Sequence, residues 1–332
     1  MPDTPRVCLT LGEPSGIGPE VVARALARLL PMGRFRPLVV GDASLFRDLL
    51  GALGLGLSSW TVRDWPAEWP ADRVLLLDRP LPVAVTPGYL NPRNTAATIG
   101  WIESAAQACL DGRADAMVTA PIDKRALREA GRTEAGHTEL LAALCRTDRP
   151  LMLLCGEELR VALVTTHLPL RDVAGALSLE RVLLTLRIAA RGLALDLGIE
   201  QPLLGLAALN PHASDGGRFG DEEQTILEPA VARAHEEGVH VEGPLPADTI
   251  FTPEVRKRFD AIVCCYHDQG LAPLKALEFH RSVNITLNLP LVRTSPAHGV
   301  AYDLATRRGS ASAASMIRAV RTAIDIAERR RS

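Results

Sequence analysis

Three histidines in this chain each closely follow an apolar run that is typical of a buried strand. The runs span 160–166, 202–209 and 261–265, and the histidines after them are His167, His212 and His267. Because ligands of α/β proteins bind at the carboxyl ends of strands, these side chains could converge at one edge of one sheet. Three histidines with an open fourth position are the usual ligands of a catalytic divalent metal. The ordinary alternative, a histidine in a solvated loop that bonds a backbone carbonyl, accounts for one of them better than for all three.

The segment after the third run carries further chemical groups. Asp268 and Lys275 follow His267 within a few residues, so an acid, a base and a cation stand together. Gly270 and Pro273 predict that this segment continues as neither a simple strand nor a simple helix.

Composition limits the classes of protein to consider. The 332 residues are 47% hydrophobic and 23% charged, with a net charge of −2, so nothing indicates a nucleic acid or a membrane surface as partner. The six cysteines form no C-x-x-C pair, and no secretory signal opens the chain. Charges or prolines interrupt every long apolar run. We therefore predict a reduced, cytoplasmic protein without nucleic-acid or membrane partners.

The order of predicted elements indicates the fold class. Strands alternate with helices near 44–53, 95–110 and 178–197, which predicts a layered, largely parallel α/β sheet. The glycine-rich loop at 12–20 has the spacing G-x-x-x-G-x-G, which matches neither the Rossmann fingerprint nor a Walker motif. An apparent hairpin at 151–166 could serve as an arm, an interface or an ordinary sheet edge. No linker separates two halves, so we expect interwoven lobes.

Two other segments could bind an anion or assist proton transfer. Gly136-His137-Thr138-Glu139 opens a predicted helix whose free N–H groups suit an anion, although Thr138 could simply cap that helix. Asp248 lies in a proline-bounded stretch, 243–249, that is typical of a rigid turn. Its carboxylate could form the turn or assist acid–base chemistry.

Seven ordered motifs identify a resemblance over nearly the whole chain. They are GEPSGIGPE from Gly12, GHTE from Gly136, THLPL from Thr166, LNPHASDGG from Leu209, GPLPADT from Gly243, YHDQGLAPLK from Tyr266 and NITLNLPLVRTSPAHG from Asn284. The chain resembles the 4-hydroxythreonine-4-phosphate dehydrogenase family of pyridoxal-phosphate (vitamin B6) biosynthesis. The resemblance implies a two-lobed, layered α/β/α fold like that of isocitrate and isopropylmalate dehydrogenases, and not a Rossmann fold. We expect residues 1–125 plus 286–332 in the first lobe. The second, 126–285, would carry a dimerisation hairpin, with the active site in the cleft between the lobes.

The resemblance also assigns roles to residues. His167, His212 and His267 match ligands of one divalent metal (zinc, magnesium or cobalt), and His137, Thr138, Lys275, Asn284 and Arg293 match substrate-binding positions. Lys275 and Asp248 are the candidate catalytic groups. His298 and Asp303, in a segment similar to the adenine-side loop of isopropylmalate dehydrogenases, are expected to contact NAD or NADP. A helix-capping role in a surface turn is the alternative for His298. The family implies a homodimer with a shared active site.

The expected reaction follows from these assignments. The cationic Lys275 and Arg293, with the Thr138 hydroxyl, suit a phosphate monoester. A bound metal would acidify the substrate alcohol that gives up hydride. The family implies that 4-phosphooxy-L-threonine is oxidised to a 3-oxo acid, which decarboxylates to 3-amino-2-oxopropyl phosphate. Alternatives are a related dehydrogenase of threonate or erythronate 4-phosphate or of a dihydrodiol dicarboxylate, a metal-dependent phosphohydrolase, and a catalytically idle metabolite-binding protein.

Overall fold

The computed structural model describes residues 4–134 and 136–331. The chain divides into two compact units, Met1–Pro150 with Leu289–Ser332, and Leu151–Asn288. Residues 126–150 therefore group with the first unit, whereas the sequence analysis assigned them to the second. No helix among the described residues is long and apolar enough to cross a membrane.

The first unit is built on a parallel sheet. Its strands lie in the order β3-β4-β2-β1-β5-β12, and every pair within this order is parallel. The strands are β1 (Arg6–Thr10), β2 (Arg36–Gly41), β3 (Ser59–Val62), β4 (Val74–Asp78), β5 (Ala116–Thr119) and β12 (Val292–Pro296). Successive residues of β1, β2, β5 and β12 are buried, so both faces of the sheet are covered, as the runs of apolar residues predict.

Helices cover this sheet. They are α1 (Gly18–Leu29), α2 (Ala43–Ala52), α3 (Thr95–Leu110), α4 (Lys124–Glu129), α5 (His137–Cys145), α12 (Tyr302–Ala305) and α13 (Ala314–Arg331). The α3 helix contacts β1, β2 and β5, and α13 contacts β12 and α1. The α5 helix packs on α3, which is why residues 126–150 belong to this unit. Local signals set the helix starts: Pro19 lies in the first turn of α1, and Asp42 caps α2 by accepting from the Leu45 N–H at 2.9 Å.

The second unit has a mixed sheet in the order β11-β6-β7-β10-β8-β9. Its strands are β6 (Leu151–Cys155), β7 (Arg160–Leu163), β8 (Leu204–Ala207), β9 (Val241–Leu245), β10 (Ala261–Cys264) and β11 (Val283–Leu287). The predicted hairpin is confirmed, because β6 and β7 pair antiparallel. The pairs β7–β10, β10–β8 and β8–β9 are parallel.

The helices of the second unit include one that the sequence analysis excluded. They are α6 (Val173–Ala176), α7 (Leu179–Leu197), α8 (Glu228–Glu236), α9 (Ala247–Ile250), α10 (Pro253–Arg256) and α11 (His267–Glu278). The α11 helix continues through Gly270 and Pro273, so the prediction of a break there is wrong. Gly270 is a packing residue: a Cβ there would lie 2.2 Å from Val161 Cγ1 and 2.8 Å from Cys264 Sγ. Because glycine has no Cβ, α11 can pack closely on β7 and β10.

The stretch at 243–249 also differs from the prediction of a single turn. Gly243 and Pro244 lie within β9, and the peptide bond between them is cis. Asp248 lies in the first turn of α9 and is exposed. The carboxylate is therefore presented by the start of a short helix.

Candidate active site

The three histidines follow the carboxyl ends of three neighbouring strands. The strand β10 pairs in parallel with β7 on one side and β8 on the other. His167 follows β7, His267 opens α11 directly after β10, and His212 follows β8. The sheet topology therefore brings all three to one edge of the second unit's sheet, which is the arrangement inferred from the apolar runs.

His167 and His267 lie close together. Their ring centroids are 5.9 Å apart with the rings tilted at 40°. A coordinating imidazole nitrogen lies about 2.0–2.1 Å from zinc. The centroid of such a ring is then about 3.2 Å from the ion, so two rings that share one ion have centroids at most roughly 6.4 Å apart. The 5.9 Å between His167 and His267 is within this limit.

The carboxylate of Asp268 favours the tautomer of His267 that can bind a metal through Nε2. Nδ1 of His267 and Oδ1 of Asp268 are 2.6 Å apart, so the Nδ1–H donates to the carboxylate, and in the neutral ring this leaves the lone pair on Nε2. Metal-binding histidines commonly donate their second N–H to a carboxylate in this way. The pair His167 and His267 thus offers two imidazole nitrogens of the kind that divalent metals such as zinc prefer.

His212 lies in an unusual backbone segment. His212, Ala213, Ser214 and Asp215 all have positive φ, between 47° and 64°, within the 3-10 turn Pro211–Asp215. A left-handed non-glycine residue costs about 1–2 kcal/mol, so neighbouring contacts must hold this turn in place. Among residues 4–134 and 136–331, no three His, Cys, Asp or Glu side chains form a group arranged to hold a metal. The structure thus brings together His167 and His267, with His212 exposed on its own turn.

A second cluster, in the first unit, surrounds Arg293 of β12. Arg293 is buried, and its Nε and Nη2 donate to Thr119 Oγ1 at 3.2 and 2.8 Å. Burial lowers the pKa of Arg293 to about 10, and nearby Glu139 acts in the opposite direction. A guanidinium held in this way against the last residue of β5 is suited to a planar, two-oxygen anion contact.

His137 adds a half-buried imidazole to this cluster. Its Nε2 is buried and has no hydrogen-bond partner among the described residues. Burial, then the charges of Arg293 and Lys124, lower its pKa well below the usual range of histidine. A buried polar atom without a partner costs free energy, and a bound ligand would remove that cost.

The start of α5 and Lys124 complete the cluster. The N-cap of α5 is Gly136, which has no side chain to bond the first N–H groups. Thr138 is the second residue of the helix and not its cap. Lys124 lies against this start, since a Cβ on Gly136 would be 3.4 Å from Lys124 Cε. The cluster of Thr119, Lys124, His137, Thr138 and Arg293, here called the anion cluster, combines positive charge with helix N–H groups.

Lys275 and Asn284 lie in the second unit. Lys275 is exposed on α11, whose far end is anchored because Glu278 accepts the backbone N–H groups of Glu157 and Glu158. Asn284 lies in β11, and its buried Oδ1 has no partner among the described residues. Asp248 is exposed, and Thr249 Oγ1 donates to its Oδ1 at 3.1 Å.

The segment predicted to contact cofactor packs against the glycine-rich loop. The Ile17 N–H donates to Val300 O at 3.0 Å, and a Cβ on Gly16 would lie 2.2 Å from Val300 Cγ1. His298 is half-buried, with Nδ1 3.0 Å from the Gly299 carbonyl oxygen, and Asp303 is exposed. A cavity of about 450 Å³ in this unit is lined by parts of 14–20, 42–49, 81–87 and 305–308. Its size is within the range of small-molecule sites.

Sequence reasoning missed several residues of these clusters. Thr119 and Lys124 were not assigned a role, although they lie at and just after the end of β5, which was the signal used for the histidines. Asp268 was singled out as an acid, but its bond to Nδ1 of His267 was not predicted. Gln269, which bonds the ends of two strands, could not be recognised without the topology.

Comparisons with known proteins agree with these features. The sequence model of the pyridoxal phosphate biosynthetic protein PdxA family matches residues 34–323. The 4-hydroxythreonine-4-phosphate dehydrogenase of Acidithiobacillus ferrooxidans (strain ATCC 53993 / BNL-5-31) is 43% identical over 99% of this chain and 98% of its own. The crystal structure of the enzyme of that name from Klebsiella pneumoniae has a TM-score of 0.85 and 37% identity, over 98% of both chains. A terephthalate 1,2-cis-dihydrodiol dehydrogenase from Burkholderia xenovorans LB400 has a TM-score of 0.66 and 28% identity, over 97% of this chain and 98% of its own.

Fold and matches first define a class. The protein has an α/β fold of the isocitrate and isopropylmalate dehydrogenase-like type, as the resemblance implied. Within that class, the chain belongs to the pyridoxal phosphate biosynthetic protein PdxA family.

Proposed function

We propose that the protein oxidises 4-phosphooxy-L-threonine with NAD or NADP and with the help of one divalent metal ion. The product is a 3-oxo acid, which loses carbon dioxide to give 3-amino-2-oxopropyl phosphate in vitamin B6 biosynthesis. The observation that carries the proposal is the row of three histidines after the parallel strands β7, β10 and β8. Relatives with this activity in their names, alike over nearly the whole chain, support it.

The anion cluster supports a phosphorylated substrate. Arg293, Lys124 and the first N–H groups of α5 can neutralise a phosphate monoester, and His137 Nε2 can bond one of its oxygens. Lys275 and Asn284 of the second unit are proposed as further contacts.

The chain's own groups bind the substrate and move its protons. A bound divalent metal would supply a Lewis acid that polarises the substrate hydroxyl, and a bound dinucleotide would supply the hydride acceptor. Asp248 is our candidate to accept the hydroxyl proton, because its carboxylate is exposed at the start of α9. Lys275 is the candidate to return a proton to the carbon that carried the lost carboxylate. His167, His212 and His267 would hold the ion, with Asp268 fixing the tautomer of His267.

The cofactor is assigned to the first unit. We infer that the segment with His298 and Asp303 contacts the dinucleotide near the cavity of about 450 Å³, whose lining includes Ala305 and Arg308. The packing of Val300 on Gly16 ties this segment to the glycine-rich loop and gives it a fixed shape.

A homodimer with a shared site completes the proposal. The resemblance implies it, and the exposed apolar residues Leu168 and Leu170 directly after His167 provide a surface for a second copy. If metal ligands come from both subunits, at least one pairwise mixture of His167→Ala, His212→Ala and His267→Ala must regain activity. Verified mixed dimers that all stay inactive would place the three ligands on one chain.

The decisive assay compares substrates with the purified protein. Reduction of NAD or NADP would be followed with 4-phosphooxy-L-threonine, with threonate and erythronate 4-phosphates, and with a dihydrodiol dicarboxylate, each with added zinc, magnesium or cobalt. The proposal expects the highest kcat/KM with 4-phosphooxy-L-threonine. A higher value with another alcohol would reassign the substrate, and release of phosphate without cofactor reduction would indicate a phosphohydrolase.

A further inference from the structure

Gln269 connects the ends of two strands through its side chain. It is buried in the first turn of α11. Its Nε2 donates to the Ala208 carbonyl oxygen at 2.6 Å, and its Oε1 accepts from the Cys265 N–H at 2.7 Å. The ladder between β10 and β8 ends with the pair Val263 and Leu206. The side-chain amide of Gln269 therefore bridges the segments that follow β10 and β8, just beyond the point where backbone pairing stops.

The bridged segments lead directly to two of the histidines. Cys265 precedes His267 by two residues, and Ala208 precedes His212 by four. The Cys265 carbonyl oxygen also accepts from Thr165, through Oγ1 at 2.7 Å and the backbone N–H at 3.2 Å. The peptide before His267 is thus held from both neighbouring strands.

A buried carboxylate holds the rest of the segment before His212. Glu223 Oε1 accepts from the N–H groups of Leu209 and Asn210 at 2.9 and 2.8 Å. Its Oε2 accepts from Asn210 Nδ2 at 2.9 Å. The chain from Ala208 to Asn210 is therefore fixed before it enters the left-handed turn, and Gln269 is the contact that ties it to β10.

We propose that Gln269 is a positioning residue of the metal site, which holds the segments carrying His212 and His267 at a fixed spacing. The inference rests on the proposed metal-assisted function. Gln269 acts through the backbone at Ala208 and Cys265. Metal–ligand distances tolerate only about 0.2 Å of variation, so a small relative shift of the two segments weakens coordination.

A purely structural role for Gln269 makes a different prediction. In that case its loss lowers the stability of the folded protein and leaves the affinity for metal unchanged. The two roles are separated by measuring metal binding and unfolding on the same variants.

The test replaces Gln269 by methionine, which has similar length and volume but makes neither hydrogen bond. Binding of Co²⁺ to the metal-free protein is followed by calorimetry and by its visible absorption spectrum. We expect Gln269→Met to bind Co²⁺ about 10-fold more weakly, the lower end of the range for residues that orient metal ligands, and with an altered spectrum. The urea midpoint of the metal-free protein is measured in parallel.

Thr185→Val is the matched control. Thr185 is also buried in the second unit, and its Oγ1 donates to the Arg181 carbonyl oxygen at 2.8 Å within α7. This variant loses a buried hydrogen bond away from the strand ends. It should keep the Co²⁺ affinity and spectrum of the wild type, whatever the change in its urea midpoint.

The outcomes are distinct. A Gln269→Met protein that is destabilised but binds Co²⁺ like the wild type overturns the positioning role and leaves the proposed function intact. A wild-type protein that binds no Co²⁺ overturns the metal-assisted function, and this inference with it. If Gln269→Met does not fold, Gln269→Asn replaces it, because its shorter amide can reach only one of the two partners. Unchanged Co²⁺ affinity in that variant would likewise overturn the proposal.

Discussion

Nδ1 of His267 and Oδ1 of Asp268 lie 2.6 Å apart, at the first turn of α11. The contact selects the tautomer in which Nε2 of His267 can bind a cation. The carboxylate belongs to the next residue in the chain, so the contact is local to the start of α11.

Asp268→Asn tests this contact. The amide can still accept a hydrogen bond from His267 but carries no charge, so we expect metal affinity to fall by about 10-fold. Competition with a chelator measures the change. Asp303→Asn is a suitable control, because Asp303 is an exposed carboxylate in the first unit. An Asp268→Asn protein with unchanged metal affinity would remove Asp268 from the account.

Arg293→Lys should weaken substrate binding by about 1.5–3 kcal/mol, the range for a charged hydrogen bond. An ammonium cannot contact Thr119 Oγ1 and two phosphate oxygens at once, as the planar guanidinium can. Inhibition by inorganic phosphate, measured beside the KM for substrate, reports this loss. If turnover falls while both affinities are unchanged, Arg293 has a role other than binding phosphate.

His137 makes stability depend on pH. Its folded-state pKa lies well below the usual value, because burial and the charges of Arg293 and Lys124 oppose protonation. As pH falls through the ordinary histidine pKa of about 6.5, the unfolded chain binds a proton that the folded protein does not. Stability is therefore lost with falling pH, at a slope approaching 1.4 kcal/mol per pH unit from this group.

The urea midpoint from about pH 7 to 5 measures the effect in wild type and in His137→Gln. The variant cannot be protonated, so its midpoint should fall less steeply. Equal slopes in the two proteins would show that His137 takes up a proton as readily in the folded as in the unfolded protein, in conflict with a lowered pKa beside Arg293.

Much of the fold could be predicted because local patterns and tertiary packing agree. The helix Thr95–Leu110 and the β6–β7 hairpin are found where the sequence predicts them. The α11 helix was missed because its support is tertiary: Gly270 lets it pack on Val161, and this outweighs the local signal of Pro273. For the same reason, the strand-end signal indicated the histidines but not Gln269, whose bond to Ala208 joins positions that are distant in sequence.

His298→Ala tests the assignment of the cofactor. We expect a higher KM for NAD or NADP and an unchanged metal content, because His298 lies beside Val300 in the first unit and the proposed metal ligands lie in the second. Fluorescence titration with the reduced cofactor measures the affinity. Lost metal with normal cofactor affinity would move His298 into the metal site.

The three-histidine metal site is tested most directly by two measurements on His212→Ala. They are its metal content and its rate of cofactor reduction with 4-phosphooxy-L-threonine. His240→Ala, an exposed histidine of the same unit, is the control. We expect the wild type and His240→Ala to retain one divalent ion per site and full activity, and His212→Ala to lose both. A His212→Ala protein that keeps its ion and oxidises the substrate at the wild-type rate would contradict the three-histidine site.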